Sequence, residues 1–249
     1  MKKEVLASVF WLAASAASST SHSALPGNHD HEYRQALSLN EQGRGKEALS
    51  ILADLKHRFP GIVRYAFDYT AVASASAEHT QALAALNDQQ QEQAPRYVME
   101  ALFRSALALL DEPRAERLHT LIATRFGHSA ENDIRLTHLY LQQGHHEKAL
   151  ALSADLIERL PHSADALDLR AYTLRHCARP GEALLLYQKI HELFPDNTEA
   201  PKAIGMILAD LGSSRLASYE MDSQGVRLSI AEQLRLAKDR GAQHVRWAE

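Results

Sequence analysis

Apolar residues recur along this chain with the period of a helix, and the periodic segments come in pairs. In DIRLTHLYLQQG, Ile134, Leu136, Leu139 and Tyr140 fall on one stripe, the spacing expected of a helix that buries a single face. Polar stretches ending in glycine or proline separate one segment from the next. Alternating strand-like runs are nearly lacking, and no Asn-Gly or Asp-Gly dipeptide marks a hairpin.

The pairing repeats. GHHEKALALSADLIERLP, residues 144–161, overlays ARPGEALLLYQKIHELFP, residues 178–195, after a shift of 34 residues. An alanine that follows a polar stretch and precedes an apolar run returns as Ala48, Ala82, Ala115, Ala149, Ala183 and Ala217, at separations of 34, 33, 34, 34 and 34. Pro60, Pro161 and Pro195 each fall 12 residues after one of these alanines, and Pro95 falls 13 after Ala82. Gly127 and Ser229 stand at the proline place after Ala115 and Ala217. A period of about 34 residues built of helix–turn–helix units is the signature of tetratricopeptide repeats (TPR).

Each recurring residue has a physical task. Gly43, Gly144 and Gly212 end the first helix of a unit, because glycine enters the left-handed C-cap conformation without steric cost. Alanine is needed where the two helix backbones cross closely. Proline stops the second helix and presets the next turn. One such hairpin cannot bury its own apolar face, so stacked neighbours bury it for one another. The expected fold is therefore an all-α TPR superhelical solenoid of about six units over residues 29–228. Two departures are expected: a polar joint at Asp88–Gln93, and a Gly225 turn followed by a helix from Ser229, N-capped with Glu232 three residues on. The last segment, 229–249, reads as the start of a further helical piece, truncated at Glu249.

The N-terminus has a different character. Lys2 and Lys3 precede an apolar run from Val5 to Ala17 and then small polar residues, the three-part layout of a secretory signal peptide spanning residues 1–23. Cleavage is expected after Ala16, Ala17 or Ser23, which takes the mature chain out of the cytoplasm. The run is shorter than the roughly 20 apolar residues of a membrane span.

Composition narrows the function. A net charge of −4 provides no basic footprint, so nucleic acid is not an expected partner. A lone cysteine, Cys177, excludes an internal disulfide and a Cys-rich zinc site, and reads as a small buried helix residue. Among the 14 histidines, NHDHE and GHHEK place ligands adjacent or two apart, not the three or four apart that a helical metal site requires. Neither GxSxG, HExxH nor a Gly-rich phosphate loop occurs in the sequence. A non-enzymatic scaffold without metal or cofactor is expected.

Such a scaffold binds through its concave surface, lined by the first helix of each unit. Asp30, Glu131, Asp165 and Glu199 hold the same place in units one, four, five and six, and Asp168, Tyr172 and Asp210 fall on or near the same inward side. A row of carboxylates beside an aromatic ring suits a cationic, hydroxyl-rich ligand such as a partly deacetylated amino-sugar polymer. Arg175 and Lys202 are the inward cations, too few for a clamp on a peptide carboxylate.

The segment ILADLGSSRLASYEMDSQGVRLSIAEQLRLAKDRGAQHVRWAE adds a family resemblance. Leu211-Gly212 and Leu216-Ala217 lead into a Glu-, Leu- and Arg-rich helix that ends near Ala242 and Val245-Arg246-Trp247. This resembles the N-terminal part of the poly-β-1,6-N-acetyl-D-glucosamine export porins. YAFDYTAVASASAEHTQAL, residues 65–83, is similar to an early repeat of that family, with Ser74-Ala75-Ser76 in place of its Trp-Ala-Gly turn. The resemblance implies a periplasmic location at the outer membrane, export of amino-sugar exopolysaccharide, and a polysaccharide de-N-acetylase as partner. It also implies a C-terminal β-barrel that this sequence lacks. The alternative expectation is a general periplasmic adaptor between proteins.

Overall fold

The computed structural model describes residues 28–213 and Ala217. The expected signal peptide (1–23) and terminal helix (229–249) lie outside the described residues. Within them the chain is helical throughout: α1 (Asn28–Glu41), α2 (Gly45–Arg58), α3 (Val63–Ala75), α4 (His79–Ala84), α5 (Asp88–Gln93), α6 (Arg96–Ala108), α7 (Glu112–Phe126), α8 (Ala130–Gln142), α9 (His146–Arg159), α10 (Ala164–His176), α11 (Pro180–Leu193) and α12 (Glu199–Asp210). Contacts run between consecutive helices and between the first helices of neighbouring units, α3 with α6, α6 with α8 and α8 with α10. This is a TPR solenoid, held by near-neighbour interfaces.

Every unit ends its first helix in the same way. The backbone turns left-handed at Gly43 (φ 77°), Gly144 (77°) and Gly212 (82°), as expected, and also at Ala77 (61°), Leu110 (55°) and Ala178 (56°). The following N–H then reaches back five residues: Arg44 to Leu39, Glu78 to Ala73, Asp111 to Ala106, His145 to Tyr140, Arg179 to Leu174 and Ser213 to Leu208, at 2.8–2.9 Å. Those bonds satisfy carbonyls that the helix end would orphan. Second helices stop before their prolines, with Phe59, Leu160 and Phe194 at φ between −128° and −132°.

All six periodic alanines are fully buried. The stripe on α8 is only partly as expected: Leu136, Leu139 and Tyr140 are buried, but Ile134 is half-buried while Asp133 and Thr137 are fully enclosed. Asp133 sits where Met99 and Leu167 sit in adjacent units, and it accepts from His119 on α7 and Arg159 on α9, each at 2.5 Å. Cys177 is half-buried and caps α10 rather than lying within it.

The polar joint breaks the second helix of unit two into α4 and α5. Asn87 accepts from the Gln90 N–H at 2.8 Å while Gln90 accepts from the Asn87 N–H at 3.0 Å, a reciprocal cap that starts α5. Arg117 of α7 fastens Asp88 (3.0 Å) and Gln91 (2.6 Å), and Arg125 bonds the Ala94 carbonyl at 2.9 Å. Pro95 then becomes the N-cap of α6, so the late proline opens a helix instead of closing one.

Candidate functional site

The inward face of units four to six is built mainly by α10. Asp165, Asp168, Tyr172 and His176 stand three, four and four residues apart, hence on one helix face. From α8, His138 meets the Tyr172 ring edge-on at 5.2 Å between centroids, and His176 lies 4.2 Å from the same ring on its own helix. Asp168 is exposed on α10, one turn from Asp165 and one turn from Tyr172. Its carboxyl is held above the usual range, first by loss of solvent and then by the like charges of Asp165 and Glu199, with His138 opposing. Burial pushes the His138 imidazole down against the pull of Asp168, and burial and then Arg175 push His176 down. Both shifts disfavour a positive charge on the rings, so the carboxylates weigh most in the sign of the surface.

The other expected positions are placed as follows. Glu199 is exposed, with the Lys202 ammonium 3.8 Å away. Asp210 accepts from Arg175 at 3.0 Å, so this pair joins α10 to α12. Glu131 is exposed and bonded by Arg135 one turn along its own helix. Asp30 lies in unit one, half-buried, with His29 Nδ1 at 3.6 Å. At the row position units two and three carry Arg64 and Tyr97, which separate Asp30 from the acidic end. The structure thus gathers Asp165, Asp168, Tyr172 and Glu199, and it leaves Asp30 apart.

A second arrangement, in units one to three, was not anticipated from sequence. Tyr33 donates to one oxygen of Asp68 at 2.5 Å and Tyr97 to the other at 2.7 Å, tying α1, α3 and α6 together through one carboxylate. The Arg64 guanidinium rests 4.2 Å from the Tyr33 ring centre. Burial and then the bond to Asp68 push both phenols well above their ordinary range. The residues are 29 and 35 positions apart, so only the repeat register could have hinted that they meet.

Among the described residues no group of His, Cys, Asp and Glu is arranged to hold a metal, and no helix is long and apolar enough to cross a membrane. A tetratricopeptide repeat protein from Parabacteroides merdae is similar in structure, with a TM-score of 0.65 at 12% identity over 87% of each chain. YrrB, a TPR protein with an unusual peptide-binding site, has a TM-score of 0.55 at 12% identity over 76% of this chain and 97% of its own. No family model and no curated protein matches the sequence. At these identities the likeness establishes the TPR fold.

Proposed function

We propose that this chain is a non-enzymatic periplasmic scaffold of an exopolysaccharide export system. Its C-terminal groove binds a partly deacetylated amino-sugar polymer, alone or together with the de-N-acetylase that produces it. One observation carries the reading: on α10, exposed Asp168 stands one helical turn from both Asp165 and Tyr172, with the Glu199 carboxylate near enough to act on its charge. A protonated amine entering there relieves like-charge repulsion and meets an aromatic face at the same time. The cations on this surface are already engaged, Arg175 with Asp210 and Lys202 with Glu199, so the net field is acidic. An uncharged, fully acetylated polymer gains only the ring contact.

Titration calorimetry with partly deacetylated and fully acetylated poly-N-acetylglucosamine oligomers tests this. Tighter binding of the deacetylated form is expected, weakening from 50 to 300 mM salt as exposed charges are screened. Changing Asp165, Asp168 and Glu199 together to their amides is expected to abolish the preference. Absence of binding to either oligomer, with capture of a protein partner instead, would replace the polymer reading with that of a periplasmic adaptor.

A further inference from the structure

The residue after each left-handed turn and the residue three places on both stand at the start of a second helix. In units one, three and five they form an ion pair: Arg44 with Glu47 at 2.5 Å, Asp111 with Arg114 at 3.5 Å, and Arg179 with Glu182 at 2.5 Å. In unit four the same places hold His145 and Lys148, and both engage Glu112. Unit two departs from this. Glu78 follows the turn, but Gln81 stands where its cation would be. The Gln81 side-chain amide accepts from the Tyr69 hydroxyl at 2.8 Å and donates to Glu78 at 3.3 Å. Among the described residues the Glu78 carboxylate therefore has no ion-pair partner.

Glu78 lines an open cavity of about 250 Å³ between α2 and α4. Leu49 and Ala53 of α2 and Tyr69 of α3 give that cavity an apolar wall. The tyrosine is held in place at both ends, its hydroxyl by Gln81 and its ring by the Lys56 ammonium, 4.4 Å from the ring centre. Lys46 of α2 lines the same cavity and, among the described residues, is paired neither with Glu78 nor with any other carboxylate. Opposite charges that share a cavity without meeting leave room for a molecule that carries both. A simple cation would leave Lys46 unmatched, and a simple anion would leave Glu78 unmatched. Drug-sized ligands fill pockets of roughly 300–1,000 Å³, so the occupant is smaller than these.

We propose that the cavity between α2 and α4 binds a small zwitterion, a free α-amino acid with an apolar side chain. Its ammonium pairs with Glu78, its carboxylate pairs with Lys46, and its side chain lies against Leu49, Ala53 and Tyr69. The site belongs to units one and two, apart from the carboxylate row, and stands whether or not that row binds a polymer.

Saturation-transfer NMR titrations of the full chain with leucine, methionine and phenylalanine test this. Leucine is expected to bind at least about tenfold more tightly than N-acetyl-leucine, which lacks the ammonium, or leucinamide, which lacks the carboxylate. K46M and E78Q are each expected to weaken leucine binding by at least about tenfold. Q81R gives Glu78 the cation that Asp111 has in unit three, and is expected to weaken binding likewise. It does so from an exposed position, which keeps the test valid should E78Q fold poorly. No binding of any of these amino acids at about 20 mM overturns the proposal. So does leucine binding that the variants leave unchanged, or a blocked form that binds as tightly as leucine.

Discussion

The left-handed turns provide a matched pair of perturbations of opposite sign. Ala77, Leu110 and Ala178 hold φ values of 55–61°, the conformation that Gly43, Gly144 and Gly212 hold at 77–82°. An L-residue there costs about 1–2 kcal/mol through its Cβ. Glycine returns about 0.4–1 kcal/mol of that through the looser unfolded chain. The difference predicts that Ala77→Gly and Ala178→Gly each stabilise by about 0.5–1 kcal/mol, since both alanines are exposed and lose little packing. Taken together they are expected to raise Tm by about 3–6 °C. Leu110→Gly is expected to be nearly neutral, because its side chain is 45% exposed and the buried remainder is lost. The reverse change, Gly144→Ala, adds a Cβ that meets nothing within 4 Å, so its cost is that of the backbone alone, about 0.5–1 kcal/mol. Thermal melts followed by circular dichroism measure all four. If A178G lowers Tm, or G144A leaves it unchanged, the six turns are not equivalent and the reasoning from backbone conformation fails.

Two further outcomes follow from buried titratable groups. Burial alone would raise the Asp133 carboxyl, but the bonds from His119 and Arg159 outweigh it and hold its pKa below the ordinary value. Its contribution is therefore present above the unfolded carboxyl pKa of about 3.9 and is lost as pH falls through the lower folded value. Asp133→Ala, which removes the shared partner of His119 and Arg159, is expected to destabilise by about 3–5 kcal/mol in urea titrations at pH 7; a loss under about 1 kcal/mol would refute the network's role. Burial raises the Cys177 thiol against the pull of Arg170 and Arg179. Iodoacetamide should label Cys177 several-fold more slowly in the native protein at pH 8 than in urea, and equal rates would contradict that assignment.

Much of the architecture was legible because it is written in local rules. Period, buried alanines, helix-ending glycines and helix-stopping prolines each act within a few residues of backbone, and all recur near one interval. The polar joint was visible too, through its run of Gln and Asp. The candidate site was half legible: Asp165, Asp168 and Glu199 could be put on one side by register, but their partners could not. The Glu131–Arg135 pair has the four-residue spacing of one helix face, but nothing in the register tells that Arg175 takes Asp210 or that Tyr33 and Tyr97 share Asp68.

By itself the sequence determined the repeat, its helical hairpins and the left-handed turns at Gly43, Gly144 and Gly212, since a helix end is satisfied by bonds reaching back five residues. Only the tertiary structure decided that Ala77, Leu110 and Ala178 turn left-handed as well, because stacked neighbours hold a backbone that an L-residue by itself disfavours. It alone decided which side chains meet across units. Those partners stand 14 to 35 residues apart, and superhelical stacking, not local propensity, brings a Ser153 to an Arg170.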